Sequence, residues 1–139
     1  MSFVYFTDRD LGKRFPESLK SGGLTVERHG DHFAPDTADE IWLETVGRRG
    51  WIALTHDRRI RYKPNERDAV TRHGVALLVI VGAAPFPDLA RAFVTSLPVI
   101  EHFLRRHQPP FIAKVYRPTP AETARRSTAP GRIELWYAP

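Results

Sequence analysis

The sequence predicts an α/β protein, a single three-layer α/β/α domain with a mostly parallel central sheet. Five short apolar runs alternate with four segments of helical periodicity, and this alternation is typical of a parallel sheet covered by helices on both faces. The most hydrophobic run, residues 75–81, has no polar alternation, as expected for a central strand. A length of 139 residues is that of one ordinary domain.

The first strand and helix follow one another near the start of the chain. Residues 3–7 are β-branched and aromatic and are followed by two acids, which predicts a buried strand. A helix is predicted over residues 9–20, because apolar side chains recur every four positions and a Gly-Gly pair follows. Residues 24–28 predict the second strand.

A second helix and a third strand follow the polar loop of residues 29–37. The predicted helix is a periodic segment that contains Ile41, Trp42 and Val46 and ends in two arginines and a glycine, the order that a helix C-terminus favours. The apolar residues 51–55 predict the third strand, and an acid again comes soon after it.

The second half of the chain predicts the remaining elements of the domain. A short helix is expected over residues 65–73, before the central strand. Residues 87–107 carry a helical stripe that Pro98 bends or divides. Residues 111–116 predict the fifth strand.

The C-terminal tail differs in composition from the rest of the chain. It is rich in Pro, Ala, Thr and Arg, which predicts a mobile extension. Its end, residues 133–137, is apolar enough to add an edge strand or to dock on a partner. We therefore expect a domain over residues 1–117 and an extension over residues 118–139.

The composition excludes several classes of protein. The chain has 21 Lys and Arg against 16 Asp and Glu, and this net charge of +5 favours a polyanionic partner. The absence of cysteine excludes disulfide scaffolds, thiol nucleophiles and zinc fingers, and fits a reducing compartment. No run approaches the roughly 18 apolar residues of a membrane span, and the start lacks a signal-peptide pattern. We expect a cytoplasmic protein without a membrane partner.

Acidic residues follow two of the predicted strands. Asp8 and Asp10 come after the first strand, and Asp57 comes after the third. The carboxyl ends of parallel strands share one edge of the sheet, so these side chains should converge. Converging carboxylates repel one another unless a cation lies among them, and oxygen ligands favour Mg²⁺ or Mn²⁺ over zinc.

A further acid at the start of the second helix could reach the same edge. We take Glu40 as the candidate, and an exchange with the adjacent Asp39 stays open. Acids in the first turn of a helix also stabilise its dipole without any further role. That simpler interpretation applies to Asp10, Asp39 and Glu40.

The candidate acids lie in three motifs, FTDRDL at residues 6–11, PDTADEIW at residues 35–42 and LTHDRRI at residues 54–60. Together these motifs resemble the PIN-like domains of the VapC toxin type. Each motif is short, but their order and spacing are fairly specific, and the resemblance covers most of residues 3–117.

The resemblance implies a metal-dependent ribonuclease, commonly the toxin half of a toxin–antitoxin pair. It implies that Asp8, Glu40 and Asp57 bind Mg²⁺ or Mn²⁺ and are catalytic, and that Asp10 assists them. An RNA substrate, a protein antitoxin and a homodimer would follow from the same family. The chain departs from the familiar pattern at residues 82–85, Gly-Ala-Ala-Pro, where a further acid often stands, which puts a second metal ion in doubt.

A dense basic segment follows the third acidic position. It consists of Arg58, Arg59, Arg61 and Lys63. These cations would hold phosphate oxygens beside the acids, and Tyr62 could stack on a base. A solvated loop paired with nearby carboxylates is the simpler interpretation.

Four other polar residues are candidates for metal binding or for supporting contacts near the acids. His29 and His32 are spaced for metal binding but lack a helical frame. His56 is predicted to donate a hydrogen bond near the acids or to contact phosphate. Lys114, in the fifth strand, faces either the site or the sheet edge.

Three alternative functions fit parts of the pattern. The acids after the first strand resemble the nucleophile motif of haloacid-dehalogenase-like phosphatases, although the downstream acidic pair is missing. A phosphoacceptor receiver domain would use Asp57 and Lys114 but would have Ser or Thr near residue 82, where glycine stands. A non-catalytic nucleic-acid-binding module would use the basic segment alone.

Overall fold

One six-stranded sheet forms the centre of the molecule in the computed structural model, which describes residues 2–139. Its strands are β1 (Val4–Thr7), β2 (Thr25–Arg28), β3 (Ile52–Thr55), β4 (Ala76–Ile80), β5 (Phe111–Tyr116) and β6 (Arg132–Tyr137). Their order in the sheet is β2-β1-β3-β4-β5-β6, in which β1 to β5 are parallel and β6 is antiparallel to β5. The predicted mostly parallel sheet is confirmed.

Helices cover both faces of this sheet. They are α1 (Arg14–Ser21), α2 (Asp39–Arg49), α3 (Pro64–His73), α4 (Phe86–Thr95), α5 (Leu97–Arg106) and α6 (Pro120–Arg125). One core contains Leu19 and Phe93, from α1 and α4, whereas the other contains Trp42 and Val70, from α2 and α3. The three-layer α/β/α class predicted from the sequence is therefore confirmed.

The strands divide their side chains between the two cores by simple alternation. In β1, Tyr5 packs into the first core and Phe6 into the second. Every residue of β4 is buried, with Leu78 on one face and Leu77 on the other. This burial explains why the central strand reads as an uninterrupted apolar run.

Two predicted helices are each divided in the structure. The segment 9–20 contains a 3-10 helix, Arg9–Leu11, before α1, and Gly12 separates them with a φ of 68°. That left-handed backbone conformation suits glycine and interrupts an α-helix. The segment 87–107 is α4 and α5, and Pro98 lies in the first turn of α5, where its missing N–H costs no helical hydrogen bond.

The tail is attached to the domain at two places. β6 pairs with β5 along the sheet edge. The backbone N–H of Gly131 donates to Ser96 Oγ over 2.8 Å, which ties the start of β6 to the junction between α4 and α5. The tail's end is thus an edge strand, and α6 precedes it with a capping box between Thr119 and Glu122.

The connections change direction between β1 and β3. The chain leaves β1 to form β2 on one side and then returns to place β3 on the other. Such a reversal opens a crevice at the carboxyl ends of the two strands, where ligands bind in open α/β sheets. Within residues 2–139, the helices are all too short or too polar to cross a lipid bilayer.

Candidate active site

A cavity of about 380 Å³ opens at the crevice between β1 and β3. The residues that line it come from the segments after β1, β2 and β3 and from the start of α2. They are Asp8, Arg9, Asp10, His29, Pro35, Thr37, Asp39, Asp57 and Arg59. Four carboxylates and two guanidinium groups thus share one opening.

Asp8 is fixed at the end of β1 by its backbone and by its side chain. Its N–H donates to the carbonyl of Leu54 over 2.9 Å, which continues the pairing of β1 with β3. Its Oδ1 accepts from the N–H of Arg9 over 2.7 Å and so caps the short 3-10 helix. The carboxylate is therefore held at the floor of the crevice.

Thr55 joins the two acids that follow β1. Its fully buried hydroxyl donates to Asp8 Oδ2 over 2.8 Å and lies 3.3 Å from Asp10 Oδ2. The hydroxyl has one hydrogen, and the shorter distance assigns it to Asp8. The same oxygen accepts from the N–H of Asp57 over 3.2 Å. A threonine at the end of a strand is common, so the sequence alone does not mark Thr55 as part of a metal site.

Asp10 is held from the opposite side of the crevice by β3. The N–H of His56 donates to its two carboxylate oxygens over 3.2 and 3.1 Å. The imidazole of His56 points elsewhere, with Nδ1 2.8 Å from the carbonyl oxygen of Ile80 and the ring edge-on to Phe86. His56 therefore contacts an acid through its backbone, while its imidazole lies against Ile80 and Phe86.

The pKa values of the two inner acids reflect their burial together. The pKa of Asp8 is raised to about 7, first by burial and then by the neighbouring Asp10 carboxylate, although the Thr55 hydrogen bond lowers it. The pKa of Asp10 is also raised, again mainly by burial, with smaller contributions from Asp57 and Asp39. The pair therefore favours a bound proton or a cation over two free charges.

Asp57 has the opposite electrostatic environment. Its Oδ2 accepts from Lys63 Nζ over 2.6 Å, and its Oδ1 accepts from the N–H of Arg59 over 2.9 Å. Burial alone would raise the pKa of Asp57, but these two donors outweigh it and hold the pKa below its ordinary value. Asp57 is thus a permanent carboxylate at the wall of the cavity.

The helix-borne acid on the cavity wall is Asp39. Its Oδ1 accepts from the indole N–H of Trp42 over 2.9 Å, which orients the carboxylate one turn before the buried tryptophan. Glu40 is the next residue along α2 and is absent from the residues that line the cavity. The role given to Glu40 stays a prediction, and the geometry favours its neighbour.

The basic segment is divided between two surfaces. Arg59 lines the cavity and Lys63 pairs with Asp57, so both lie beside the acids. Arg58 is exposed and is not on the cavity wall. Arg61 lies over the aromatic rings of Tyr62 and Trp136 instead.

The two histidines after β2 are in different environments. His29 lines the cavity, is 3% exposed and packs among Phe6, Phe33 and Trp42. Burial lowers its pKa, and within residues 2–139 its Nδ1 atom has no hydrogen-bond partner. His32 lies 2.7 Å from Glu27 and does not line the cavity, so the pair does not form one metal site.

A second cavity of about 230 Å³ shares Asp8, Arg9 and His29 with the first. Its other side chains include Lys13 and Arg28. Lys13 and Arg28 therefore border the acids near the end of β2, and Arg59 borders them near the end of β3.

The donor set has the chemistry that Mg²⁺ and Mn²⁺ prefer, since the inner ligand atoms are carboxylate oxygens. Among the residues that the structure describes, no three acidic or histidine side chains converge into a complete metal site. Asp8 and Asp10 nevertheless fit a magnesium ion, which is usually held by one or two carboxylates, with water and phosphate oxygens completing its shell.

Lys114 does not take part in this site. Its Nζ lies 4.0 Å from the centre of the Trp136 ring, and it does not line the cavity. A receiver domain would need this lysine beside the acids, so its position counts against that alternative.

Comparison with known proteins agrees with this geometry. A family model described as "PIN like domain" matches residues 3–82, which is more than half of the chain. Neither the curated proteins nor the solved structures contain a significant match. The matched residues include all of the acids that line the cavity. The chain therefore belongs to the PIN-like domain family.

Proposed function

We propose that this protein is a metal-dependent endoribonuclease that hydrolyses RNA phosphodiester bonds. PIN-like domains are generally nucleases. The observation that carries the proposal is the close pair of carboxylates, Asp8 and Asp10, which share the Thr55 hydroxyl and are bordered by Arg59. Such a pair can hold a cation beside groups that bind phosphate.

Asp8 and Asp10 would hold the metal ion, with Asp39 and Asp57 on the wall around it. A bound Mg²⁺ or Mn²⁺ supplies Lewis-acid polarisation of a phosphate oxygen and lowers the pKa of a bound water. Thr55 and the His56 amide keep the two inner carboxylates in place, so that they need no reorganisation when the substrate binds.

The cationic side chains act on the substrate. Arg9 and Arg59 line the cavity and can bind phosphate oxygens in bidentate fashion, which aligns the scissile bond with the acids. Lys63 neutralises Asp57 and limits the repulsion between the acidic wall and a polyanion.

The first test is cleavage of labelled total RNA by the purified protein. We expect discrete fragments with Mg²⁺ or Mn²⁺ and none with EDTA. Asp8→Asn should abolish cleavage, because the variant loses a metal ligand and keeps its shape. Asp68→Asn is the matched control, since Asp68 is exposed on α3 away from the cavity. Cleavage in EDTA, or full cleavage by Asp8→Asn, would refute the proposed mechanism.

We further propose that the protein is the toxin of a toxin–antitoxin pair. Support comes from the resemblance of the three acidic motifs to VapC-type proteins. Expression should then arrest growth, and a co-expressed protein encoded beside it should relieve the arrest. Harmless expression of an active nuclease would contradict the toxin role while leaving the nuclease proposal intact.

A further inference from the structure

Two aromatic and two basic side chains form a surface patch that the proposed mechanism does not use. It consists of Arg61, Tyr62, Lys114 and Trp136, and we call it the aromatic–basic patch. Lys114 and Trp136 lie outside the residues matched by the family model. The patch therefore exists only because the C-terminal strand pairs with the sheet.

The rings of the patch are held by contacts with the cations. Tyr62 stands edge-on to Trp136, with ring centres 5.7 Å apart and planes at 88°. Arg61 Cζ lies 5.3 Å from the Trp136 ring centre and 5.5 Å from that of Tyr62. Lys114 Nζ lies 4.0 Å from the Trp136 ring centre. These distances are those of cation–π contacts.

Tyr62 is the part of the patch open to a ligand. It is 65% exposed, whereas Trp136 is half-buried against the core of α2 and α3. A core or capping role would bury Tyr62 further. The exposed ring is therefore available to stack on a planar group.

The patch and the cavity belong to one continuous segment of the chain. Asp57 and Arg59 line the cavity, and Tyr62 follows only five residues after Asp57. Five residues span at most about 17 Å even when fully extended. A polymer bound at the acids can therefore reach the patch within a few of its units.

The chemistry of the patch favours a single-stranded nucleic acid. Aromatic rings stack on bases of any sequence, and neighbouring cations bind the phosphates between them. Glu134 lies opposite Lys114 in the β5–β6 register and is the acid that faces this surface from β6. The two cations of the patch, Arg61 and Lys114, outnumber it. A duplex would offer no open base face to Tyr62.

We propose that the aromatic–basic patch binds unpaired bases of single-stranded RNA that extends from the active site, with Tyr62 stacking on a base. The choice of RNA rests on the proposed function. Arg61 and Lys114 would contact the phosphates beside the stacked base. The patch thus selects single strands over duplexes without reading their sequence.

The test is the binding of fluorescently labelled single-stranded RNA in EDTA, measured by anisotropy. Tyr62→Leu should weaken binding about tenfold, equivalent to ~1.4 kcal/mol, and Tyr62→Phe should bind as the wild type does. Arg61→Ala should reduce the slope of log K against log salt by about 0.7. Circular dichroism would check that each variant is folded.

Arg49→Ala is the matched control for the loss of a cation over an aromatic ring. Arg49 Cζ lies 5.0 Å from the centre of the Trp51 ring, at the other end of the strands. This variant should keep wild-type affinity apart from the small effect of one distant charge. A loss of affinity equal to that of Arg61→Ala would overturn the inference.

Other outcomes separate this inference from the proposed function. Wild-type affinity in Tyr62→Leu, or duplex binding as tight as single-strand binding, would overturn the role of the patch even if metal-dependent cleavage is found. Binding that depends on Tyr62, without any cleavage by the wild type in either Mg²⁺ or Mn²⁺, would support the patch and refute the nuclease. A wild-type protein that binds no RNA would overturn the patch proposal and leave a protein partner as its occupant.

Discussion

At the scale of single residues, Thr55 links the acids that the proposed chemistry needs. Thr55→Val keeps the volume and removes the hydroxyl, so Asp8 loses a hydrogen bond that lowers its pKa and Asp10 loses a nearby polar group. We expect RNA cleavage to fall by about 10- to 100-fold, the usual effect of removing a group that orients metal ligands. Thr55→Ser restores the hydroxyl and should recover most of the rate. Equal rates for the valine and serine variants would show that the hydroxyl is not needed.

A second prediction at this scale distinguishes the two acids at the start of α2. Asp39→Asn should reduce cleavage at least tenfold, because it removes a charged carboxylate from the cavity wall. Asparagine can still accept the Trp42 hydrogen bond, so the start of α2 should keep its shape. Glu40→Gln should leave the rate within about twofold, since this side chain is not part of the wall. Initial rates at saturating metal would decide between them, and the opposite result would restore Glu40 as the ligand.

The sequence was informative about acids that follow strands and less so about other residues. Asp8, Asp10 and Asp57 could be placed at one sheet edge, because parallel strands bring their carboxyl ends together. The choice between Asp39 and Glu40 depends on the rotation of α2 about its axis. That rotation is set by the burial of Trp42, whose indole also binds Asp39, and periodicity alone does not resolve it to one residue.

At the scale of elements, the attachment of β6 depends on a glycine. A Cβ on Gly131 would overlap the carbonyl oxygen of Tyr116, so Gly131→Ala forces the start of β6 away from β5. We expect a loss of about 1–3 kcal/mol in the free energy of unfolding and faster hydrogen exchange in Arg132–Tyr137. Gly30→Ala is the control, because its Cβ meets no atom within 4 Å. Unchanged exchange in β6 would contradict this account.

Strands were more predictable than helices and the tail. Phe111–Tyr116 has the bounds expected from its apolar run. The helix expected over residues 9–20 is divided because Gly12 adopts a positive φ, a conformation that apolar periodicity does not reveal. The place of β6 depends on its pairing with β5 and on the Ser96–Gly131 contact. Both are tertiary contacts, so local composition could suggest only an edge strand or a docking segment.

At the scale of the whole molecule, the stability of the protein should depend on pH and on metal in a linked way. Asp8 has a folded-state pKa raised to about 7, so the metal-free fold binds more protons than the unfolded chain between about pH 4 and pH 7. The raised pKa of Asp10 acts in the same direction, whereas the lowered pKa of His29 has the opposite effect below its ordinary value of 6.5. Because the two acids together outweigh the one histidine, stability in EDTA should fall as the pH rises through this range. Asp57, whose pKa is lowered, contributes stability that is lost only below its ordinary pKa, and so it does not reverse the trend.

A divalent cation should remove this penalty, because it stabilises the ionised pair that burial disfavours. At a hundred times its dissociation constant, a ligand of the folded state adds about 2.7 kcal/mol, which raises the Tm of a chain of this size by several degrees. Thermal unfolding with EDTA or Mn²⁺ at about pH 5 and pH 8 would measure both effects. Asp8→Asn should be less sensitive to pH and to Mn²⁺, whereas Asp68→Asn should behave as the wild type. If Mn²⁺ raises the Tm of Asp8→Asn as much as that of the wild type, the cation binds elsewhere and Asp8 and Asp10 do not form the metal site.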